Sequence, residues 1–324
     1  MTLKALVTGG TGFIGSHLVQ TLTSQNWNVT CLVRPTSRTG FLKKFPVNFV
    51  VHETNDQRIL ESAVKEQDYV FHLAGRIRPA SRATYDQANH QLTRKLVEAC
   101  LSQNPGISRF VYVSSIAAAG PSFSGQYSVE SETPSPTSEY GRTKLKGEMA
   151  VKEAWDIIPA TIIRPPNVYG PRQQETELLV KLISKRIVPI LKERGETTSL
   201  IYIKDLVEGI LQAALSPKTQ KQIYYLTDGK GYSWRELILT IKKHVLGNSL
   251  FIPLYEEAIF FVALLTDVVM ATGLVKIFFG RKVWPAMIQT PWLFSTSKAE
   301  KEFGFHSRYT LEEGIKETVS YYKK

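Results

Sequence analysis

The sequence predicts a doubly wound α/β fold, in which a parallel β-sheet is covered by helices on both faces, with a smaller mixed α/β lobe toward the C-terminus. Three observations predict it. Over residues 1–165, short apolar runs alternate with stretches of helical period, the pattern of βαβ units. The first run, residues 3–7, leads into the glycine-rich turn Gly9-Gly10-Thr11-Gly12-Phe13-Ile14-Gly15 and then into an amphipathic stretch. Past Pro165 the texture changes, with Pro165-Pro166 and Gly170-Pro171 followed by helix-like segments between short strands.

Taken in order, strands are expected at 28–33, 48–51, 69–73, 110–113 and 161–163 after the first run. Helices are expected at 17–24, 58–65, 86–101 and 140–155, where apolar residues recur every three to four positions. Strand-helix-strand crossovers are right-handed, so the sheet winds outward in both directions from its first strand. Further strands are expected at 200–203 and 223–226. The boundary between a first domain, 1–165, and a second lobe, 166–324, falls at the proline cluster, with room for the chain to recross between them.

Bulk properties narrow the function classes. Of 324 residues, 43% are hydrophobic and 21% charged, as in an ordinary globular protein able to bury a large core. The net charge of +11 is spread over both halves, without a dense basic run interleaved with aromatics. That argues against nucleic acid and leaves a phosphorylated cofactor or anionic ligand as the use for the charge. Two cysteines, Cys31 and Cys100, fall in a predicted strand and a predicted helix, and six histidines are scattered, so buried thiols and no metal site are expected. The N-terminus opens on a strand, so a cleaved leader is not expected and the cytoplasm is the default location.

Strand, glycine turn and helix together form the context of a dinucleotide-binding fingerprint. Of its glycines, with Gly9, Gly12 and Gly15 the candidates for cofactor binding, one makes the tight turn, one lets backbone approach a pyrophosphate, and one lets the helix lie against the strand. The helix N-terminus at Phe13 and Ile14 offers N–H groups and partial positive charge to the phosphates. A second constellation is Tyr140-Gly-Arg-Thr-Lys144, whose spacing puts both side chains on one helix face. Val113-Ser114-Ser115 ends the predicted fifth strand, where a reacting hydroxyl belongs in this architecture.

With His72-Leu73-Ala74-Gly75, Arg164-Pro165-Pro166-Asn167-Val168-Tyr169-Gly170-Pro171 and Tyr202-Ile203-Lys204-Asp205-Leu206-Val207, these motifs closely resemble the extended short-chain dehydrogenases/reductases. That family carries a Rossmann domain of the kind predicted above, and the resemblance runs to Leu311-Glu312-Glu313-Gly314-Ile315. It implies that Tyr140 donates and accepts the proton at the carbinol oxygen and that Lys144 lowers its pKa and holds the nicotinamide ribose. It implies that Ser115, rather than Ser114, hydrogen-bonds the substrate oxygen. Ala74 and Gly75 lie over the cofactor by the same resemblance. Asn89 falls where the family often keeps an asparagine near the active site, equally readable as a polar helix residue. A homodimer through the helix carrying Tyr140 is also implied.

Arg34 ends the second strand, with Arg38 close behind and no carboxylate there to bind a ribose 2′-hydroxyl. NADP is therefore expected, with NAD as the alternative if Arg34 is only a solvated cation. Where relatives carry a Gly-Asp-Leu-like segment for the adenine, this chain has His52-Glu53-Thr54. Sugar-nucleotide dehydratases of the superfamily place an Asp-Glu pair where Ile116-Ala117 stand here, so dehydration is not expected. The apolar Ile116-Ala117-Ala118-Ala119 stretch is similar to the 3β-hydroxysteroid dehydrogenase branch, whereas Asn167-Val168-Tyr169-Gly170 is similar to the substrate loop of sugar-nucleotide epimerases. The expectation is an oxidoreductase acting on a secondary alcohol or ketone of a small molecule. An epimerase is the second reading and a non-catalytic NADP-binding regulator the third. Residues 258–279 are apolar on nearly all sides, but Asp267 within a span would cost ~2.5–3.5 kcal/mol. This segment is expected to fold into the second lobe, with part of its surface near the substrate pocket or at a membrane interface.

Overall fold

The computed structural model describes residues 2–52, 56–77, 81–123, 125–191, 197–245, 250–254 and 291–323. Six strands of the first half, β1 (Lys4–Thr8), β2 (Asn28–Val33), β3 (Val47–Val51), β4 (Tyr69–His72), β5 (Arg109–Val113) and β6 (Ala160–Arg164), lie in one sheet. Later strands are β7 (Asn167–Tyr169), β8 (Ile187–Leu191), β9 (Thr198–Tyr202), β10 (Gln222–Tyr225), β11 (Gly231–Tyr232) and β12 (Leu250–Leu254). The large sheet is wholly parallel and runs β3-β2-β1-β4-β5-β6-β10. The segment expected at 223–226, beyond the proline boundary, thus returns to the large sheet, with Ile223 beside Ile162. A mixed three-stranded sheet, β11-β9-β7, and a parallel pair, β12-β8, complete the strands among the described residues.

Side-chain alternation explains the two-faced core. In β1, Val7 packs into one apolar cluster and its neighbour Leu6 into the other, and Phe71 and Val70 divide likewise in β4. One face is covered by α1 (Phe13–Ser24), through Leu18, Val19 and Leu22. The other is covered by α2 (Gln57–Val64), by α4 (Leu92–Gln103), which continues from the short α3 (Arg82–Asp86), and, beyond the short α5 (Ile116–Ala119), by α6 (Glu139–Glu153). Because both faces are covered, β5 and β6 are buried at every position, which is why Phe110–Val113 and Ile162-Ile163 show no alternation with exposed polar residues. Each large aliphatic side chain so buried contributes ~1.5–3 kcal/mol. Cys31 and Cys100 are buried free thiols, which burial pushes up to about 12.

The second half supplies α7 (Gln174–Ser184), α8 (Ile203–Leu215), α9 (Trp234–His244), α10 (Ser297–Phe303) and α11 (Leu311–Tyr322). Helix α8 joins the α1 face of the core through Leu206 and Ile210. Asp205, buried in its first turn, accepts hydrogen bonds from Ser307 Oγ and from the N–H groups of Arg308 and Tyr309, tying the chain's last segment to this lobe. Thr310 and Glu313 then form a reciprocal capping box that starts α11.

Two features place the candidate site. The chain order of the sheet reverses between β1 and β4, so their carboxyl ends flank the crevice where ligands enter such folds. The helix expected at 86–101 begins earlier, at Arg82, and is broken by a π-helical turn at Gln87–Gln91 that carries Asn89. Among the described residues no helix is long and apolar enough to cross a membrane, and the segment 258–279 lies outside them.

Candidate active site

The β1–α1 turn has the form of a phosphate cradle. Gly9 adopts φ +73°, and a Cβ there would stand 2.7 Å from the Ala74 nitrogen, so only glycine lets β1 leave the sheet against the end of β4. The Gly12 N–H donates to the Gly9 carbonyl at 2.9 Å, which closes the turn. Gly12 itself is exposed and serves as the N-cap of α1, with no side chain closing the helix end. Half-buried Phe13 and Ile14 begin the first helical turn. An uncapped N-terminus with an exposed glycine at its mouth fits a dinucleotide pyrophosphate.

Behind the cradle a chain of buried hydrogen bonds fixes the loop after β4. Thr8 Oγ1 accepts the Ala74 N–H at 3.1 Å and donates to His72 Nδ1 at 2.6 Å. His72 Nε2 donates to Thr93 Oγ1 at 2.9 Å, and the Thr93 hydroxyl donates to the Asn89 carbonyl at 2.8 Å. This assignment needs a neutral ring, and burial, with Lys144 adding repulsion, pushes His72 down to about 3.

Asn89 is fully buried, at 0% exposure. Its Oδ1 accepts the Arg76 N–H at 2.7 Å, while Nδ2 donates to the Arg76 carbonyl and to Thr143 Oγ1. The structure thus places Asn89 beneath the loop, where it joins that loop to α6 with every polar side-chain atom engaged. A side chain so enclosed positions others and does not line the cleft. The π turn is what aims it there.

Ser115, Tyr140 and Lys144 converge at the carboxyl end of β5. Adjacent strand residues face opposite ways, and the two serines divide accordingly. Ser114 is buried and donates to Glu148 Oε1 at 2.6 Å, whereas Ser115 is half-buried, accepts the Ala117 N–H at 3.1 Å as the cap of α5, and acts to lower the pKa of Tyr140. Ser138 caps α6 by accepting the Gly141 N–H at 3.0 Å, placing Tyr140 in the first turn. Gly147 lets this helix approach β5 closely, since a Cβ would stand 2.3 Å from the Tyr112 hydroxyl. Lys144 is 3% exposed; its Nζ donates to the Val113 carbonyl at 2.7 Å and lies 4.2 Å from the centre of the Tyr112 ring. Gly75 sits across from it, its missing Cβ 3.8 Å from Nζ.

The electrostatics correct one expectation. Lys144 was expected to lower the pKa of Tyr140, but burial pushes that hydroxyl up to about 12, with Ser115 acting only partly against it. The Lys144 ammonium is turned to Val113 and Tyr112, and burial brings Lys144 itself down to about 7, against the field of Glu148. Tyr140 is therefore a protonated donor at neutral pH.

Arg34 directly follows β2 with its side chain exposed, and its own N–H donates to Ser37 Oγ at 3.0 Å in a tight turn. Asn167, on β7, is exposed and donates through Nδ2 to Thr198 Oγ1 at 3.0 Å. Glu53 lies outside the described residues. The sequence reading missed Glu148, which follows Tyr140 and Lys144 at the same four-residue interval, a spacing visible in the sequence. Its ion pair with Arg164 is the one salt bridge fully buried on both sides among those of the described residues.

Comparison with known proteins bears on this geometry. Residues 5–226 match the family model of the NAD dependent epimerase/dehydratase family, well over half of the chain. The chain belongs to that family. The extended dehydrogenase/reductase resemblance therefore holds, and the protein is an enzyme of a nicotinamide-dependent family. The chain is 28% identical over 98% of its length to the ceramide reductase of Caulobacter vibrioides, covering 93% of that protein. It is 25% identical over 97% of its length to the decarboxylating sterol-4-alpha-carboxylate 3-dehydrogenase of Dictyostelium discoideum, covering 99% of it. Among solved structures, the UDP-glucose 4-epimerase of Thermotoga maritima superposes with a TM-score of 0.80 at 23% identity, covering 99% of both chains, which establishes the shared fold.

Proposed function

We propose that this enzyme transfers hydride between a nicotinamide cofactor and a secondary alcohol or ketone of an apolar, lipid-like small molecule, with NADP(H) preferred. The observation that carries the reading is the convergence of Ser115, Tyr140 and Lys144 at the end of β5, followed by buried Ile116 where a dehydratase needs a carboxylate. The names of the ceramide reductase and sterol dehydrogenase relatives support the apolar class.

The chemistry follows from the residues. Gly9, Gly12 and Gly15 with the first turn of α1 would hold the pyrophosphate, and Ala74, Gly75 and Lys144 would border the nicotinamide ribose. When bound, the dinucleotide supplies or takes the hydride. Ser115 donates to the substrate oxygen as it gains charge, and Tyr140, protonated at neutral pH, gives its proton to that oxygen in the reducing direction. Exposed Arg34 after β2 would meet a 2′-phosphate, which supports the preference for NADP(H). The second reading, an NDP-sugar epimerase, is favoured by the epimerase-like segment beginning at Asn167.

The two readings differ in what happens to the dinucleotide. Purified enzyme should exchange NADP(H) freely and consume it in proportion to a ketone such as an N-acylated long-chain keto base. A dinucleotide that stays bound and is recycled without net consumption while a UDP-sugar is isomerised overturns the first reading in favour of the second.

A further inference from the structure

We propose that Glu148, clamped by Ser114 and Arg164, is the positioning residue that keeps Lys144 charged and aimed across the end of β5 toward Gly75. Lys144 has almost no contact with water, and a buried ammonium without a nearby anion gives up its proton. The groups packed around it can be taken in turn. His72 on β4 is held neutral by burial, and Tyr112 beneath the ammonium and Tyr140 one turn earlier are pushed up by burial and remain uncharged. Asn89 presents a neutral amide, spent on Arg76 and Thr143. Glu148, one turn later on the same helix face, is the anion among these neighbours, and its field raises the affinity of Lys144 for its proton.

That anion is itself fixed on every side. Glu148 is 0% exposed and accepts Ser114 Oγ at 2.6 Å, Arg164 Nε at 2.9 Å and Arg164 Nη2 at 2.7 Å. Arg164 is 1% exposed, donates its remaining Nη1 to the Tyr225 hydroxyl at 3.0 Å, and stays cationic because Glu148 and Tyr225 offset its burial. A fork-to-fork pair of this kind cannot swing. Ser114 just past β5, Arg164 of β6 and, behind it, Tyr225 of β10 therefore fix this carboxylate one helical turn after Lys144 on α6. Ser114, silent in the chemistry above, gains a role as the third strut.

The inference rests on the proposed contact of Lys144 with the cofactor, so the test reads cofactor binding and not turnover. NADPH affinity is titrated by nicotinamide fluorescence from neutral to alkaline pH, and wild-type binding should weaken as Lys144 loses its proton. Lys144→Met should remove that limb. In the pair-replaced variant E148L/R164M, where apolar side chains of similar length commonly preserve the fold, the limb should move down by about one pH unit, weakening alkaline binding roughly tenfold. Arg164→Met alone leaves Glu148 with Lys144 as its cation, and its limb should move up. Arg164→Lys, which keeps the charge, should leave the limb in place. A limb unmoved in folded E148L/R164M or Arg164→Met overturns the inference while leaving the functional reading intact. If neither variant folds, the pair serves the fold and the inference falls. Absence of any NADPH binding to the wild type instead overturns the functional reading itself.

Discussion

In the proposed reaction Tyr140 and Ser115 carry the chemistry at the residue scale, and their neighbours show how little sequence distance decides. Ser114 and Ser115 are adjacent, yet one is sealed against Glu148 and the other acts to lower the pKa of Tyr140. Tyr140→Phe keeps the ring against Tyr85 and removes the transferable proton. Turnover should fall by about 10²–10⁴, the usual worth of general acid–base catalysis, with cofactor affinity unchanged within about twofold. Ser115→Ala should cost about 10²-fold as a lost oxyanion donor, and Ser114→Ala much less; steady-state kinetics of the three variants decide the assignment. Arg34 is exposed, so its value lies in charge alone. Arg34→Asp should weaken NADP(H) by about 1.5–3 kcal/mol as one charge-assisted contact is lost. It should leave NAD(H) nearly unaffected, as read by titration of both cofactors.

Elements were legible in the sequence where their cause is local. The strand expected at 28–33 coincides with β2, and 69–73 overshoots β4 by one residue, because strands buried on both faces announce themselves as apolar runs. The π turn carrying Asn89 was not legible. It exists to turn one amide toward Arg76 and Thr143, which are distant in sequence or on another helix. The return of β10 to β6 was hidden for the same reason, since an apolar run does not say which strand it pairs with. The cradle was legible because its glycines answer to contacts made within one turn. At Gly15 a Cβ would stand 2.2 Å from the Gly9 carbonyl oxygen. Gly15→Ala should therefore destabilise the protein by about 1–3 kcal/mol. It should also cost most of the dinucleotide affinity, as measured by denaturant unfolding and cofactor titration.

For the whole molecule, the same burial that assembles the site makes it sensitive to acid. His72 is pushed down to about 3 by burial and by Lys144, and His17 to about 4 by burial and by Arg172. Both bind protons more tightly in the unfolded chain, where they titrate near 6.5. Their stabilising contribution is thus present above that pH and is lost as pH falls through the window below it. Asp228, pushed up to about 6 by burial, and Glu130, also pushed up by burial, work in the opposite sense, while His52, pushed down by burial, adds to the loss. The unfolding temperature should drop by roughly 5 °C or more between about pH 7 and about pH 5, a thermal melt at each pH being the check. A His72→Asn variant should flatten that dependence.

The central claim is that the site at the joined ends of β1, β4 and β5 runs net oxidoreduction of a ketone, with Tyr140 as the proton donor. Transfer of deuterium from NADPH labelled at the nicotinamide C4 tests it most directly. The label should appear on the carbinol carbon of a long-chain keto-lipid product, with many turnovers per enzyme and with loss of transfer in Tyr140→Phe. Retention of the label within an enzyme-held dinucleotide while a UDP-sugar is epimerised, or undiminished transfer by Tyr140→Phe, would contradict the account.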